Sequence, residues 1–315
     1  MKKSHKLKTC NDLLIEFYGK NVNVLGEKLK FLGVQGRDVY NITKPFEDDG
    51  ELIIAGRVEP RDSEVSEINF FREVDGTWEM AERKIKLNLQ DPFATKICRE
   101  LILGGVEIFP HPKLEGCLAY RTVFYRGADI NSLQKFAVGP DLMKDIRLLE
   151  LSGGRILVFT RPQGDTFGRG KIAFNIINSL EELNADVISN AELLESQFVD
   201  EEWGGANELH VLNNGLIGVL GHVASFDEIM DRHYYAMVFS FNLETKKASP
   251  IKLIATRKNF KPGEYKRKDI IDVIFSGGIN RIEGAMAEIY VGVSDAESHK
   301  ILIDDPFVEY ESTNK

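Results

Sequence analysis

Cations stand at the ends of apolar runs along this chain, where an oxyanion site would need them. Arg57 follows the run Gly50–Gly56 and lies two residues before Glu59. Lys144 and Asp145 begin one strand-like run and Arg161 ends the next, around a Ser152-Gly153-Gly154 turn. A hairpin there brings those ends together. Gly168-Arg169-Gly170-Lys171 adds two cations, and His222 ends the run Gly215–Gly221. Guanidinium grips phosphate or carboxylate with two parallel hydrogen bonds, so arginines converging on rigid strands suit such a ligand. The plainer alternative is a set of surface ion pairs, each worth ~0–1 kcal/mol. Gly-Arg-Gly-Lys lacks the spacing and the Lys-Ser/Thr ending of a phosphate loop.

One carboxylate is held where the backbone aims it reproducibly. Asp91, in Gln90-Asp91-Pro92-Phe93, precedes a proline, which restricts it to extended or turn conformations and aims its side chain. Asp305-Pro306-Phe307 repeats the tripeptide, so both copies could instead be turn chemistry. The six histidines, His5, His111, His210, His222, His233 and His299, show no metal-ligand spacing, and no metal is expected. No Gly-x-Ser-x-Gly elbow is present.

These residues hang on a repeat. Five glycine-led apolar runs begin at Gly50, Gly105, Gly154, Gly215 and Gly284, roughly 50–70 residues apart. Each is followed by a second strand-like run: Glu67–Phe71, Tyr120–Tyr125, Lys171–Ile177, Tyr234–Asn242 and His299–Ile303. That period holds about four short strands, which is one propeller blade. A blade cannot bury both faces alone, so the pattern predicts an all-β, five-bladed β-propeller with its site at one mouth of the axis. One domain is expected over residues 1–315, with an N-terminal extension of about residues 1–20. Asn11–Tyr18 reads as a short helix, Asn178–Gln197 as a helical insertion, and the basic stretch Arg257–Lys268 as a solvated connection between blades.

Composition agrees. With 43% apolar residues and 19 Phe, the chain has material for packing between blades. A net charge of −9 argues against nucleic-acid binding, which needs a basic face. No run reaches the ~18 apolar residues of a membrane span. The basic Met1–Lys8 leads into no signal-peptide core. Three cysteines without paired spacing fit a reducing, cytoplasmic setting.

In order along the chain, these motifs resemble those of the five-bladed mannoside phosphorylases of glycoside hydrolase family 130. They are more similar still to the dual mannosyltransferase–phosphorylase family acting on β-1,2-mannan. The similarity runs from roughly Gly50 to Phe307. Arg57 matches a strand-end Arg of the family, and Gln90-Asp91-Pro92-Phe93 stands where a Glu-Asp-Pro-Arg box holds the catalytic Asp. The Glu and second Arg of that box are missing here. Lys144-Asp145 with Thr160-Arg161-Pro162 resembles the family's Lys-Asp and His-Arg-Pro pair. Trp203-Gly-Gly-Ala-Asn207-Glu208 is similar to its glycine-rich turn, His222 to the basic residue after it, and Asp272 to Gly278 to a further inner stretch. Tyr290 to Asp295 matches a segment whose Asp grips the bound sugar.

The resemblance implies inverting phosphorolysis of β-mannosides, with release of mannose 1-phosphate and the reverse synthesis. Asp91 would be the general acid, and Arg57, Lys144, Arg161, Arg169 and His222 a cationic cradle for phosphate. Glu59, Asp145 and Asp295 would neighbour the acid. Asp295 would hold sugar hydroxyls, and Trp203, Tyr234 or Tyr235 would stack on sugar faces. Inorganic phosphate is the expected co-substrate, with no cofactor. A manno-oligosaccharide, mannose 1-phosphate and a nucleotide sugar are the expected ligands, and an oligomer is compatible. A propeller hydrolase on mannan or arabinan, needing a second carboxylate as base, and a non-catalytic glycan-binding propeller are the alternatives.

Overall fold

The computed structural model describes residues 7–20, 24–82, 85–195 and 197–312. His5 and most of the basic N-terminus lie outside that range. Five sheets, antiparallel but for the outer strand Phe31–Leu32 of the first, which pairs parallel with Thr77–Met80, form five blades around an axis. The innermost strands are Asp38–Tyr40, Gln90–Ile97, Arg147–Glu150, Trp203–Val211 and Ile274–Ile282. Each pair of runs singled out in the sequence forms the middle of a blade. In the first blade, for example, Glu51–Glu59 pairs with Glu67–Val74, and in the fourth Ile217–Phe226 pairs with Arg232–Asn242.

Five apolar clusters fill the spaces between adjacent blades. Phe70 and Leu103 join blades one and two, and Phe124 and Val158 join two and three. Phe159 and Phe241 meet edge-on at 5.6 Å between three and four. Leu220 and Ile289 join four and five. Ile42, Phe71 and Tyr290 close the ring between five and one. Closure has a second component. The N-terminal strand Glu27–Lys28 is the outer strand of the fifth blade, with Glu27 opposite Lys300 and Lys28 opposite His299.

Turn glycines explain the sequence period, with one exception. Gly50, Gly154, Gly215 and Gly284 all have φ near +80°, a conformation glycine adopts without a Cβ clash. Gly105 instead lies inside Glu100–Pro110, and the turn before that strand is made by Cys98 and Arg99 with positive φ. The glycine there answers to close packing: a Cβ on Gly105 would sit 2.8 Å from Ile68, and one on Gly104 would sit 1.9 Å from the Phe93 ring.

The N-terminal helix forms as predicted, over Cys10–Gly19. Thr9 and Asp12 cap it reciprocally, and Leu13 and Phe17 are buried. The predicted helical insertion at Asn178–Gln197 is mostly absent. It holds a 3₁₀ turn at Leu180–Glu182, a short helix at Ala185–Ser189 and the outer strand Glu192–Leu193 of the third blade. Weak apolar periodicity there reflects anchoring of Leu180 and Ile188 against the sheet. No helix among the described residues is long and apolar enough to cross a membrane.

Candidate active site

The inner strands bend where they meet the axis. The ladder between Gln90–Ile97 and Glu100–Pro110 slips between Gln90 and Phe93, leaving Asp91 in a bulge. Equivalent slips leave Asn207 and Gly277 unpaired in the fourth and fifth blades. A bulge re-aims side chains that a regular ladder would send to alternate faces. Left-handed backbone does the same work: Asn41, Asp91, Asp145 and Asp295 have φ of 46°, 47°, 60° and 49°. Such conformations cost about 1–3 kcal/mol each and gather at functional sites. Asp91 therefore departs from the extended geometry that a following proline favours.

Together these residues line a cleft of about 220 Å³, whose walls include Arg57, Asp91, Lys144, Asp145, Arg161, His222 and Asp295. Asp91 is its centre. Arg57 Nη1 donates to Asp91 Oδ1 at 3.2 Å, Asn41 Nδ2 donates to the same oxygen at 2.8 Å, and Lys144 Nζ lies 3.8 Å from Oδ2. Burial pushes the Asp91 carboxyl up, but Arg57, Lys144 and the Asn41 amide outweigh it and hold the group below the usual carboxylate range. Burial opposes the charge on Lys144, but Asp91 and Asp145 outweigh it and raise the ammonium above its usual range. Asp295 goes the other way. Burial raises it, the Asp91 charge adds to that, and Arg57 only partly compensates.

Asp145 anchors the other half of the cleft. Its Oδ2 accepts from Arg161 Nη1 at 3.1 Å and lies 3.9 Å from His222 Nε2, while Arg147 Nη2 lies 3.9 Å from Oδ1. Burial opposes ionisation, yet Arg161, His222 and Lys144 draw the carboxyl down to about 2. Arg161 also donates to the backbone oxygens of Gly204 at 3.0 Å and Arg169 at 2.9 Å. Three contacts leave two of its five N–H groups for a ligand. His222 is held neutral, with its imidazole drawn down to about 3 by burial and by Arg161, Lys144 and Arg147 despite Asp145. Its Nδ1 lies 2.9 Å from Asn207 Oδ1. With that oxygen accepting, Nε2 faces the cleft as an acceptor, suited to a hydroxyl or a protonated phosphate oxygen.

The remaining expected site residues fall elsewhere. Arg169 sends only its backbone oxygen toward Arg161; its guanidinium lies over Phe226 and Trp203 beside the cleft. Trp203 lines that same side compartment, and its Nε1 donates to Tyr234 Oη at 3.1 Å. Glu59 sits behind Arg57, accepting from its Nη2 at 2.9 Å and pairing with Lys266 and Tyr40. Asn207 supports His222 from below. Tyr235 and Asp272 bond to each other at 3.3 Å, and Asp272 bonds to His233 at 2.6 Å, outside the cleft lining. Glu208 faces the opposite end of the axis, where it meets Lys44 at 2.5 Å and His210 at 3.3 Å. Asp305 also lies outside the cleft, paired with Arg281 at 2.6 Å and accepting from the Phe307 amide.

Sequence reasoning missed Asn41, Glu64, Arg232 and Arg267, all of which line the cleft. Arg267 was legible as a charge but not as a wall. The basic segment 257–268 is no free connection: Lys266, its side chain 5% exposed, pairs with Glu64 at 3.0 Å, and Arg61 pairs with Glu264 at 2.8 Å. Two loops far apart in sequence are thus tied together over the mouth.

The family described as protein of unknown function DUF1861 matches residues 16–309. No curated protein sequence matches the chain. A mannose phosphorylase from Leishmania mexicana, solved in complex with a phosphate ion, is 34% identical with a TM-score of 0.87, over 96% of this chain and 95% of that one. A GDP-Man-dependent mannosyltransferase from the same organism is 30% identical, also with a TM-score of 0.87, over 98% and 97%. A β-1,2-mannobiose phosphorylase from Listeria innocua shares the fold at 14% identity, with a TM-score of 0.63 over 92% and 94% of the two chains. This five-bladed propeller, similar to the two Leishmania mexicana enzymes over nearly all of its length, belongs to the DUF1861 family.

Proposed function

We propose that this protein is a glycoside phosphorylase that cleaves β-mannosides, β-1,2-linked manno-oligosaccharides in particular, with inorganic phosphate as co-substrate. The observation that carries the reading is the setting of Asp91, one carboxylate held by Arg57 and Lys144 in a cleft it shares with Arg161. The mannose phosphorylase activity of a relative 34% identical over 96% of this chain supports it.

A phosphate seated against Lys144, Arg161 and Arg57 attacks the anomeric carbon with one oxygen. The glycosidic C–O bond breaks, its electron pair goes to the leaving oxygen, and Asp91 supplies the proton that oxygen needs. The products are α-mannose 1-phosphate and a shortened glycan, with inversion at carbon 1. Phosphate is already anionic, so no base is required to activate it. The same anion favours protonation of the acid, which takes up its proton from solvent. In the empty cleft Arg57 and Lys144 stabilise an ionised Asp91; a phosphate that engages both cations adds negative charge beside Asp91 and raises its affinity for a proton. Asp295, held up by burial, is suited to exchange hydrogen bonds with sugar hydroxyls.

The test is incubation with β-1,2-mannobiose, with and without inorganic phosphate. Formation of mannose 1-phosphate only when phosphate is present supports the reading. Release of free mannose at the same rate in its absence identifies a hydrolase instead, and binding without turnover identifies a glycan-binding module.

A further inference from the structure

The cleft lies at one mouth of the axis. At the other end a small cavity of about 20 Å³ opens among the inner strands, its polar lining made by Thr43, Lys44, Thr95, Arg147, Asn207 and Glu208. A single water needs about 10–15 Å³ of such space, so the cavity takes one water or one monatomic ion and is too small for a tetrahedral oxyanion. Lys44, its side chain 29% exposed, reaches solvent at this end.

Donors exceed acceptors in that lining. Asn207 is 2% exposed, and its buried Nδ2 has no hydrogen-bond partner among the described residues. The oxygen of the same amide is engaged by His222 Nδ1 at 2.9 Å, so the donor end is the one left over. Arg147, also buried, spends two N–H groups on the backbone oxygens of Asn207 at 2.7 Å and Ile146 at 3.0 Å. Asp145 Oδ1, 3.9 Å from its Nη2, is beyond hydrogen-bond reach, which leaves three of its five N–H groups. Thr43 Oγ1 accepts from the Ala55 amide at 3.0 Å and keeps its own proton to give. The one carboxylate in the lining among the described residues, Glu208, is already taken by Lys44 at 2.5 Å and the Ile279 amide at 2.7 Å.

Charge points the same way. Lys44 and Arg147 against Glu208 leave one positive charge in excess. Burial pulls the Arg147 guanidinium below its usual range, against the pull of Asp145, Asp91 and Glu208. A buried donor without a partner and a buried cation without full compensation both cost free energy. A water answers two donors and then needs acceptors for its own hydrogens. A halide accepts from every side and supplies the missing negative charge. We propose that this cavity is a monovalent-anion site filled by chloride, to which Asn207 Nδ2 and Arg147 donate. The ion keeps the donor end of the Asn207 amide at the axis, and so its oxygen end under His222.

The test needs no turnover and is independent of the phosphorolytic reading. The full chain, exchanged into sodium gluconate, is titrated with sodium chloride at constant ionic strength and followed by thermal melting, and crystals are soaked in bromide, whose anomalous signal locates the ion. Melting should rise with chloride and saturate, as binding to the folded state alone requires, and a bromide peak should lie between Arg147 and Asn207. Two variants at this end of the axis separate the site from anion binding in the cleft. Lys44→Met removes a cation and should raise the chloride midpoint about tenfold; Glu208→Gln removes the carboxylate and should lower it by about as much. The proposal is overturned if the wild-type cavity shows only water, or if chloride and gluconate give the same melting curve. Midpoints that stay fixed or move in the same direction in the two variants overturn it too. A bromide peak with no saturable response in solution is binding at crystal concentration only and counts equally against it. Should either variant fail to fold, the wild-type titration and bromide map still decide.

Discussion

At the residue scale the proposed acid, Asp91, would face two demands, to be ionised when the cleft is empty and to carry a proton when substrate is cleaved. Arg57, Lys144 and Asn41 meet the first, and bound phosphate meets the second. Asp91→Asn keeps size and most hydrogen bonding but removes the proton. Turnover should fall by about 10²–10⁴-fold, roughly 3–5 kcal/mol of barrier, with mannoside affinity retained in titrations. Raising phosphate from trace to saturating levels should move the alkaline limb of mannoside kcat/KM to higher pH, since added negative charge makes the acid hold its proton longer. A limb that stays fixed across phosphate concentrations would separate the acid from the cradle. Asp145 and His222 tie stability to pH in one direction. Asp145 titrates near 3.9 when unfolded but at about 2 when folded. His222 titrates near 6.5 when unfolded but at about 3 when folded. In both windows the unfolded chain binds the extra proton, so stability falls as pH drops from about 6.5 toward 2. Urea midpoints for His222→Asn should show a shallower decline between about pH 6.5 and 3. An unchanged slope would mean that another group carries it.

Bulges and left-handed residues position this chemistry at the scale of elements. The bulge that carries Asp91 is flanked by Phe93, whose ring packs against Gly104 on the neighbouring strand. Gly104→Ala places a methyl 1.9 Å from that stiff ring, so Phe93 must move or the ladder must open. An overpacking cost of about 1–3 kcal/mol is expected in denaturant unfolding. Phosphorolysis should suffer beyond what that loss explains, because Asp91 lies two residues from Phe93. Gly105 obeys the same logic and shows how the five-fold glycine pattern mixes two causes. Four of its members are turn glycines with positive φ, and one is a packing glycine.

The ring as a whole is closed by its ends. Glu27–Lys28 completes the fifth blade and the Gly26 amide donates to the Asn259 oxygen at 2.7 Å, while Cys10, Leu13 and Phe17 of the N-terminal helix enter the core shared by blades three and four. Removing residues 1–28 takes away both attachments and uncovers the edge of Glu297–Asp304. The truncated chain should melt several degrees lower, at about 2–4 °C or less per kcal/mol lost for a chain of this size, and the uncovered edge should promote association. An unchanged Tm would show that the five inter-blade clusters suffice.

The sequence by itself determined the architecture, because strand pairs at a regular period have few ways to bury both faces. It also brought Arg57, Asp91, Lys144, Asp145, Arg161, His222 and Asp295 into one group, through cations at strand ends and through a family resemblance that covers their order. Tertiary structure alone decided which charges converge. Glu208 and Asn207 are adjacent in sequence, yet a bulge sends one to the far end of the axis and the other beneath His222. Tyr235 turns away to Asp272 while its neighbour Tyr234 faces the cleft. Arg267 and Lys266 read as a solvated loop because their carboxylate partners, Glu59 and Glu64, lie some two hundred residues earlier. Pairing over such separations depends on ring closure, which no local pattern of residue types encodes.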